Sequence, residues 1–336
     1  MTKKTINPII LEHWEGSWGA VSEGLLKMLQ NKPDINVIDA LDILDRWTEN
    51  DTNFAALNNK ITNQKKLPRD ADGKPLFNLV AYNGKYNTTS RTVKHSHFVS
   101  NVIRDYIAED TEYLVELGSG WGENLFRIYT ETIENNNFKD LKYIACEITQ
   151  SGRNATDQLS KTVPKMDCSI HHFDYFDPDL SFLKPNSNVV YFSSHSIEQV
   201  AQLPADIFPE MIKNSNECTC VHIEPVGWQR FKNLITDDIS LIAGQVDPKE
   251  YIPLDPFFMR NAALLARTRD YNHNLLSLLD FFVNSGDIKI IEQNFDVFGI
   301  NPFNPSTVIS WKKINSTNRS LSENKNVEKN RRSRAS

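Results

Sequence analysis

Apolar positions change period twice along the chain, and each change marks a different kind of element. Over residues 8–60, Trp14, Trp18, Val21, Leu25, Leu26 and Leu29 recur at helical spacing, as do Val37, Leu41, Leu44 and Trp47. This predicts two amphipathic helices, with Asp34 as a candidate cap for the second. Pro68, Gly73, Pro75 and Gly84 make residues 65–87 read as a turn-rich connection. From residue 97 the helical pattern Val99, Val102, Ile103, Ile107 leads into an apolar run at 113–117. Short apolar runs then alternate with helical stretches at 142–146, 169–173, 188–193 and 219–223, the signature of a parallel sheet covered on both faces. Two last strands, 288–297 and 307–312, are separated only by the turn region 299–305. No crossover helix fits between them, so they form an antiparallel hairpin.

The pattern divides the chain into a helical N-terminal extension and cover segment (1–95), an α/β core (96–313) and a tail (314–336). Residues 229–285 are mostly helical and longer than one crossover helix requires, which predicts an enlarged lid or substrate wall. The tail is rich in Asn, Ser, Lys and Arg and nearly free of apolar residues, so it is expected to be disordered and basic. It is either a solvated end or an electrostatic handle for an acidic partner.

Charge and cysteine usage narrow the classes. A formal charge of -6 argues against a nucleic-acid-coating protein, which needs clustered Lys and Arg. No run of 18 apolar residues occurs and no apolar run follows Met1 to Pro8, so neither a membrane span nor a signal peptide is expected, and the chain is placed in the cytoplasm. Cys146, Cys168, Cys218 and Cys220 are too few for a secreted disulfide framework. Cys218 and Cys220 lack a second ligand pair and read as small core residues, not as a metal site.

The first core strand ends Glu116-Leu117-Gly118-Ser119-Gly120-Trp121-Gly122. Glycines there let the backbone turn sharply and approach a ligand at the strand's carboxyl end. A dinucleotide fold wants a further glycine at 123, where this chain has Glu123, a carboxylate that would repel a pyrophosphate. The segment resembles the first motif of the class I methyltransferases that use S-adenosyl-L-methionine (SAM). The resemblance covers roughly residues 97–313 and implies a Rossmann-like, seven-stranded, mostly parallel sheet with the C-terminal antiparallel hairpin. It implies SAM as cofactor, held by Glu116, Gly118, Ser119, Gly120, Trp121 and Gly122. It further implies that Glu147, ending the second strand, takes both ribose hydroxyls, and that Asp174, after the third, receives the adenine amino group. Each acid taken singly reads equally as a loop carboxylate facing solvent; their order at successive strand ends points to the cofactor. Trp121 is either a wall of that pocket or core packing.

Acceptor chemistry is expected at the ends of the fourth and fifth strands. His195 is the first candidate for a base or orienting group, because an imidazole takes a proton near neutral pH. Glu224 is second, with Glu198 and His222 weaker. Tyr86, Arg91 and His95, just ahead of the core, are expected to approach the site, and residues 271–274 to line the acceptor pocket. No Asn-Pro-Pro-Tyr segment follows the fourth strand and no Pro-Cys nucleophile is present, which argues against DNA, glutamine and cytosine methylation. The expected activity is O- or N-methylation of a peptide or natural-product intermediate. Methylation of a sugar or other small hydroxylated molecule, and a catalytically silent SAM-binding scaffold or regulatory subunit, are the alternatives. The acceptor and the oligomeric state are not legible.

Overall fold

The computed structural model describes residues 5–48, 78–89, 94–132, 140–230, 256–301 and 304–314. Helices α1 (Pro8–Asn31) and α2 (Val37–Thr48) form the extension. The cap of α2 is Asn36, not Asp34. The Asn36 side chain accepts from Asp39 N at 2.9 Å and donates to Asp39 Oδ2 at 2.8 Å, a reciprocal pairing that only the residue directly before the helix can reach.

The expected connection over 65–87 is corrected at its end. Strands β1 (Asn78–Tyr82) and β2 (Lys85–Thr89) form a hairpin that pairs with the sheet's edge. Its turn is Asn83-Gly84, both at positive φ (47° and 68°), the backbone that a two-residue hairpin requires and that Asn-Gly supplies at least cost. Residues 65–77 of that connection lie outside the described residues.

Helix α3 (His95–Arg104) then leads to β3 (Tyr113–Leu117), α4 (Glu123–Thr132), β4 (Lys142–Glu147), α5 (Gln150–Ser160), β5 (Cys168–His172) and β6 (Ser187–Ser194). Helix α6 (Ile207–Lys213), β7 (Ser215–Glu224), α7 (Pro256–Thr268), α8 (Leu275–Asn284), β8 (Ile288–Gly299) and β9 (Ser306–Lys313) complete it. Within the segment expected to be enlarged, 231–255 lies outside the described residues, as does the tail from 315.

One sheet of nine strands runs β2-β1-β8-β9-β7-β6-β3-β4-β5. The expected seven-stranded core is present, and the front hairpin adds two strands to its edge. Within the core, β9 alone runs against its neighbours, inserted between β7 and β8. β3 is buried along its whole length, as an apolar run in a two-sided parallel sheet must be. Two apolar layers cover the faces, one receiving α1 and α2 through Leu25, Leu41 and Leu44, the other holding Tyr191, Phe208 and Trp311. The chain runs from β3 outward to β5, then returns to β6 and β7. The crevice between the ends of β3 and β6 is therefore the sheet's switch point, where such folds bind ligands.

Candidate active site

The turn leaving β3 is built for close backbone approach. Gly118, Gly120 and Gly122 all have positive φ (74°, 56° and 84°). The N–H groups of Gly118 and Ser119 donate to Cys146 O at 2.8 and 2.9 Å, tying the turn to β4. On its other side the turn abuts the β6 loop: Tyr175 Oη and Ser196 Oγ both donate to Leu117 O, at 2.9 and 2.7 Å.

The three acids are held differently. Glu116 is buried and raised well above the usual carboxylate range by that burial; Oε1 accepts from Asn124 Nδ2 at 2.7 Å, while Oε2 has no partner among the described residues. Ser119 Oγ is likewise buried, with no partner among the described residues. Glu147 is raised by burial, against the pull of its hydrogen bonds. Its Oε1 accepts from Thr149 N and Oγ1 (2.9 and 2.7 Å) and its Oε2 from Gly120 N (2.8 Å). A carboxylate oxygen accepts about two donors, so one further donor fits at Oε2 and none at Oε1 unless Thr149 turns away. Asp174 is half-buried and accepts from Phe176 N at 2.8 Å. Trp121 is 4% exposed and belongs to the core layer.

Across the crevice, His195 holds a left-handed backbone (φ 52°), a conformation uncommon outside glycine. The surroundings fix it. Its N–H donates to Ile223 O at 3.1 Å, and the next three N–H groups, of Ser196, Ile197 and Glu198, each donate to the Glu224 carboxylate at 3.2 Å. Glu224 is fully buried, so it acts through the loop that carries His195 instead of facing an acceptor itself. Burial lifts it to about 7, with His195 pulling the other way.

His195 Nε2 and Ser306 Oγ share a hydrogen bond of 2.8 Å, and Nδ1 lies 3.5 Å from Glu198 Oε1. Burial alone would lower this imidazole, but Glu198 and Glu224 outweigh it and hold it above its ordinary value. His95, at the start of α3, comes to the same place: its ring lies 4.6 Å from that of His195, and its Nε2 shares a 3.1 Å hydrogen bond with Ser194 Oγ. Burial and the neighbouring His195 push His95 well below the usual imidazole value, so the pair combines a charge-prone ring with a neutral one.

The remaining candidates lie elsewhere. His222 is a core residue, lowered to about 3 by burial, with Nε2 accepting from Trp311 Nε1 at 3.0 Å. Asn272 is buried: its N–H donates to Glu198 O and its Nδ2 to Val200 O, both at 2.8 Å, so residues 271–274 brace the His195 loop from behind. Tyr86 pairs through its backbone with Ala81 in the edge hairpin, and its side chain lies outside the described atoms. Arg91 is outside the described residues.

Burying Glu224 has a measurable consequence. A carboxyl raised in the folded state stabilises the fold below its unfolded value and loses that contribution as pH rises through about 7. Glu224→Gln, which cannot ionise, is expected to gain stability relative to the parent by about 1–3 kcal/mol between pH 5 and pH 8. Urea unfolding at both pH values checks this; a difference independent of pH would contradict it.

A parallel sheet closed by an antiparallel C-terminal hairpin, with a glycine turn at its switch point, decides the architecture. The fold is that of the class I methyltransferases. No family model matches the chain, and no curated protein does. Among solved structures, the pyocyanin biosynthetic protein PhzM is similar at 15% identity and a TM-score of 0.40, over 65% of this chain and 55% of that one. A SAM-dependent methyltransferase from Aquifex aeolicus is similar at 9% identity and 0.38, over 64% and 89%. Geranyl diphosphate C-methyltransferase from Streptomyces coelicolor A3(2) is similar at 10% identity and 0.42, over 65% and 79%. The chain thus spans about half the length of PhzM.

Proposed function

We propose that the chain is a SAM-dependent methyltransferase acting on an oxygen or nitrogen of a peptide or natural-product intermediate. The observation that carries this is the left-handed glycine turn with Glu116, Glu147 and Asp174 at the ends of three successive strands. The residues fit the cofactor. Glu116 Oε2 and Ser119 Oγ are buried polar atoms in need of a partner, and Glu147 Oε2 can accept one more donor. The turn 118–122 with Glu116 would hold the methionine portion, Glu147 the ribose and Asp174 the adenine amino group. Bound SAM supplies an electrophilic methyl group on a sulfonium.

The chain's own task is then alignment and exclusion of water. In this reading His195 and His95 would meet the acceptor, with Ser306 and Glu198 fixing the His195 ring. Paired imidazoles beside Ser194 favour an acceptor with a proton to lose, and so the second reading, a small hydroxylated molecule such as a sugar. Incubation with methyl-labelled SAM and a panel of peptides, phenols and sugars tests the activity. Label in an acceptor of one class supports it. Tight SAM binding with no transfer, together with a co-purifying partner, would replace it with a SAM-binding scaffold.

A further inference from the structure

Helix α1 lies outside the sheet, yet it bears directly on the glycine turn. A Cβ placed on Gly120 would stand 3.1 Å from Cζ2 and 3.3 Å from Cε2 of Trp18, so the turn and this indole are in close contact. Trp14 stacks on Trp18 with centroids 5.0 Å apart and planes at 24°, forming a two-ring slab on α1. Polar bonds lock that helix in place. Glu15 accepts from the N–H groups of Gln150 and Ser151 at 3.0 and 2.9 Å, satisfying two donors at the start of α5, where a carboxylate also complements the helix dipole. Ser151 Oγ donates to Glu15 O at 2.8 Å, and Gln158 Nε2 to Ser22 Oγ at 3.1 Å.

An open groove of about 580 Å³ lies between this helix and the ends of β4 and β5. Leu11 and Glu15 of α1 form one wall, and Ile148, Arg153 and His172 another. Ile148 directly follows Glu147, and His172 stands two residues before Asp174, so chain neighbours of both acids line the groove while the acids themselves do not. Glu12 and Glu15 line it together with Arg153, so both signs of charge face the groove.

We infer that α1 is a wall of the cofactor site, with Trp18 covering the glycine turn and the Leu11–Glu15 face flanking the strand ends that carry Glu147 and Asp174. This rests on the SAM reading above. It makes the N-terminal extension part of the binding site.

The test uses the full chain and S-adenosylhomocysteine (SAH). Hydrogen exchange on the unaltered protein should slow both at 118–123 and along α1 when SAH saturates it. Trp18→Leu should weaken SAH binding about tenfold or more, because an aromatic wall is lost while apolar packing is retained. Protection confined to 118–123, or unchanged affinity in W18L, would overturn the inference while leaving the SAM reading intact. An unaltered chain that binds no SAH would overturn both.

Discussion

Gly118→Ala is expected to remove cofactor binding and to destabilise the fold by about 2–5 kcal/mol. Two costs add. At φ 74° an alanine pays about 1–2 kcal/mol for the left-handed backbone. Its Cβ would also lie 2.4 Å from Ser196 Cβ, far inside contact distance, and overpacking of this kind costs about 1–3 kcal/mol. The clash moves something functional, because Ser196 follows His195 and shares the Leu117 carbonyl with Tyr175. Glycine turn and acceptor loop therefore shift together. Urea unfolding reads the first effect and an SAH titration the second. A variant of unaltered stability that still binds SAH would show that the turn is not held as described.

His195→Ala is expected to lower turnover by about 10²–10⁴-fold, the range for loss of a positioned acid or base. SAH affinity should stay close to that of the parent, since His195 lies across the crevice from Glu116, Glu147 and Asp174. A base must lose its proton first. With His195 held above its ordinary value by Glu198 and Glu224, kcat should rise with pH through an apparent pKa above 6.5 that belongs to the His195–Glu224 pair. Glu198→Gln removes the carboxylate 3.5 Å from Nδ1 and should move that rise toward lower pH. Unchanged turnover in H195A would remove the assignment, and loss of SAH binding together with turnover would make the residue structural.

Much of this fold was legible from periodicity. The run 113–117, the alternating strands and the closing hairpin need only local pattern and the rule that a short turn cannot span a crossover. What escaped needs three dimensions or a closer reading of turns. Asn83-Gly84 specifies the two-residue turn of the β1–β2 hairpin, but the prolines before it give the segment the pattern of a loop. Nothing in the linear pattern places β9 between β7 and β8, because both orders satisfy the same alternation.

The site shows the same division. Gly118, Gly120, Gly122 and Glu147 were named by motif, and His195 by its place after a strand. The reading of Glu224 as a group facing the acceptor gives way to a carboxylate buried under three backbone N–H groups, a role set by the left-handed turn at His195. Trp18 was visible only as one member of a helical apolar stripe. Its meeting with Gly120, about a hundred residues away in sequence, depends on how α1 docks on α5.

The central claim is that this crevice binds the methyl donor, and calorimetric titration of the full chain with SAH, against NADH as control, tests it most directly. The account predicts a saturable single-site isotherm with SAH and no heat of binding with NADH. Binding of NADH, or a folded protein silent to SAH and SAM alike, would contradict it.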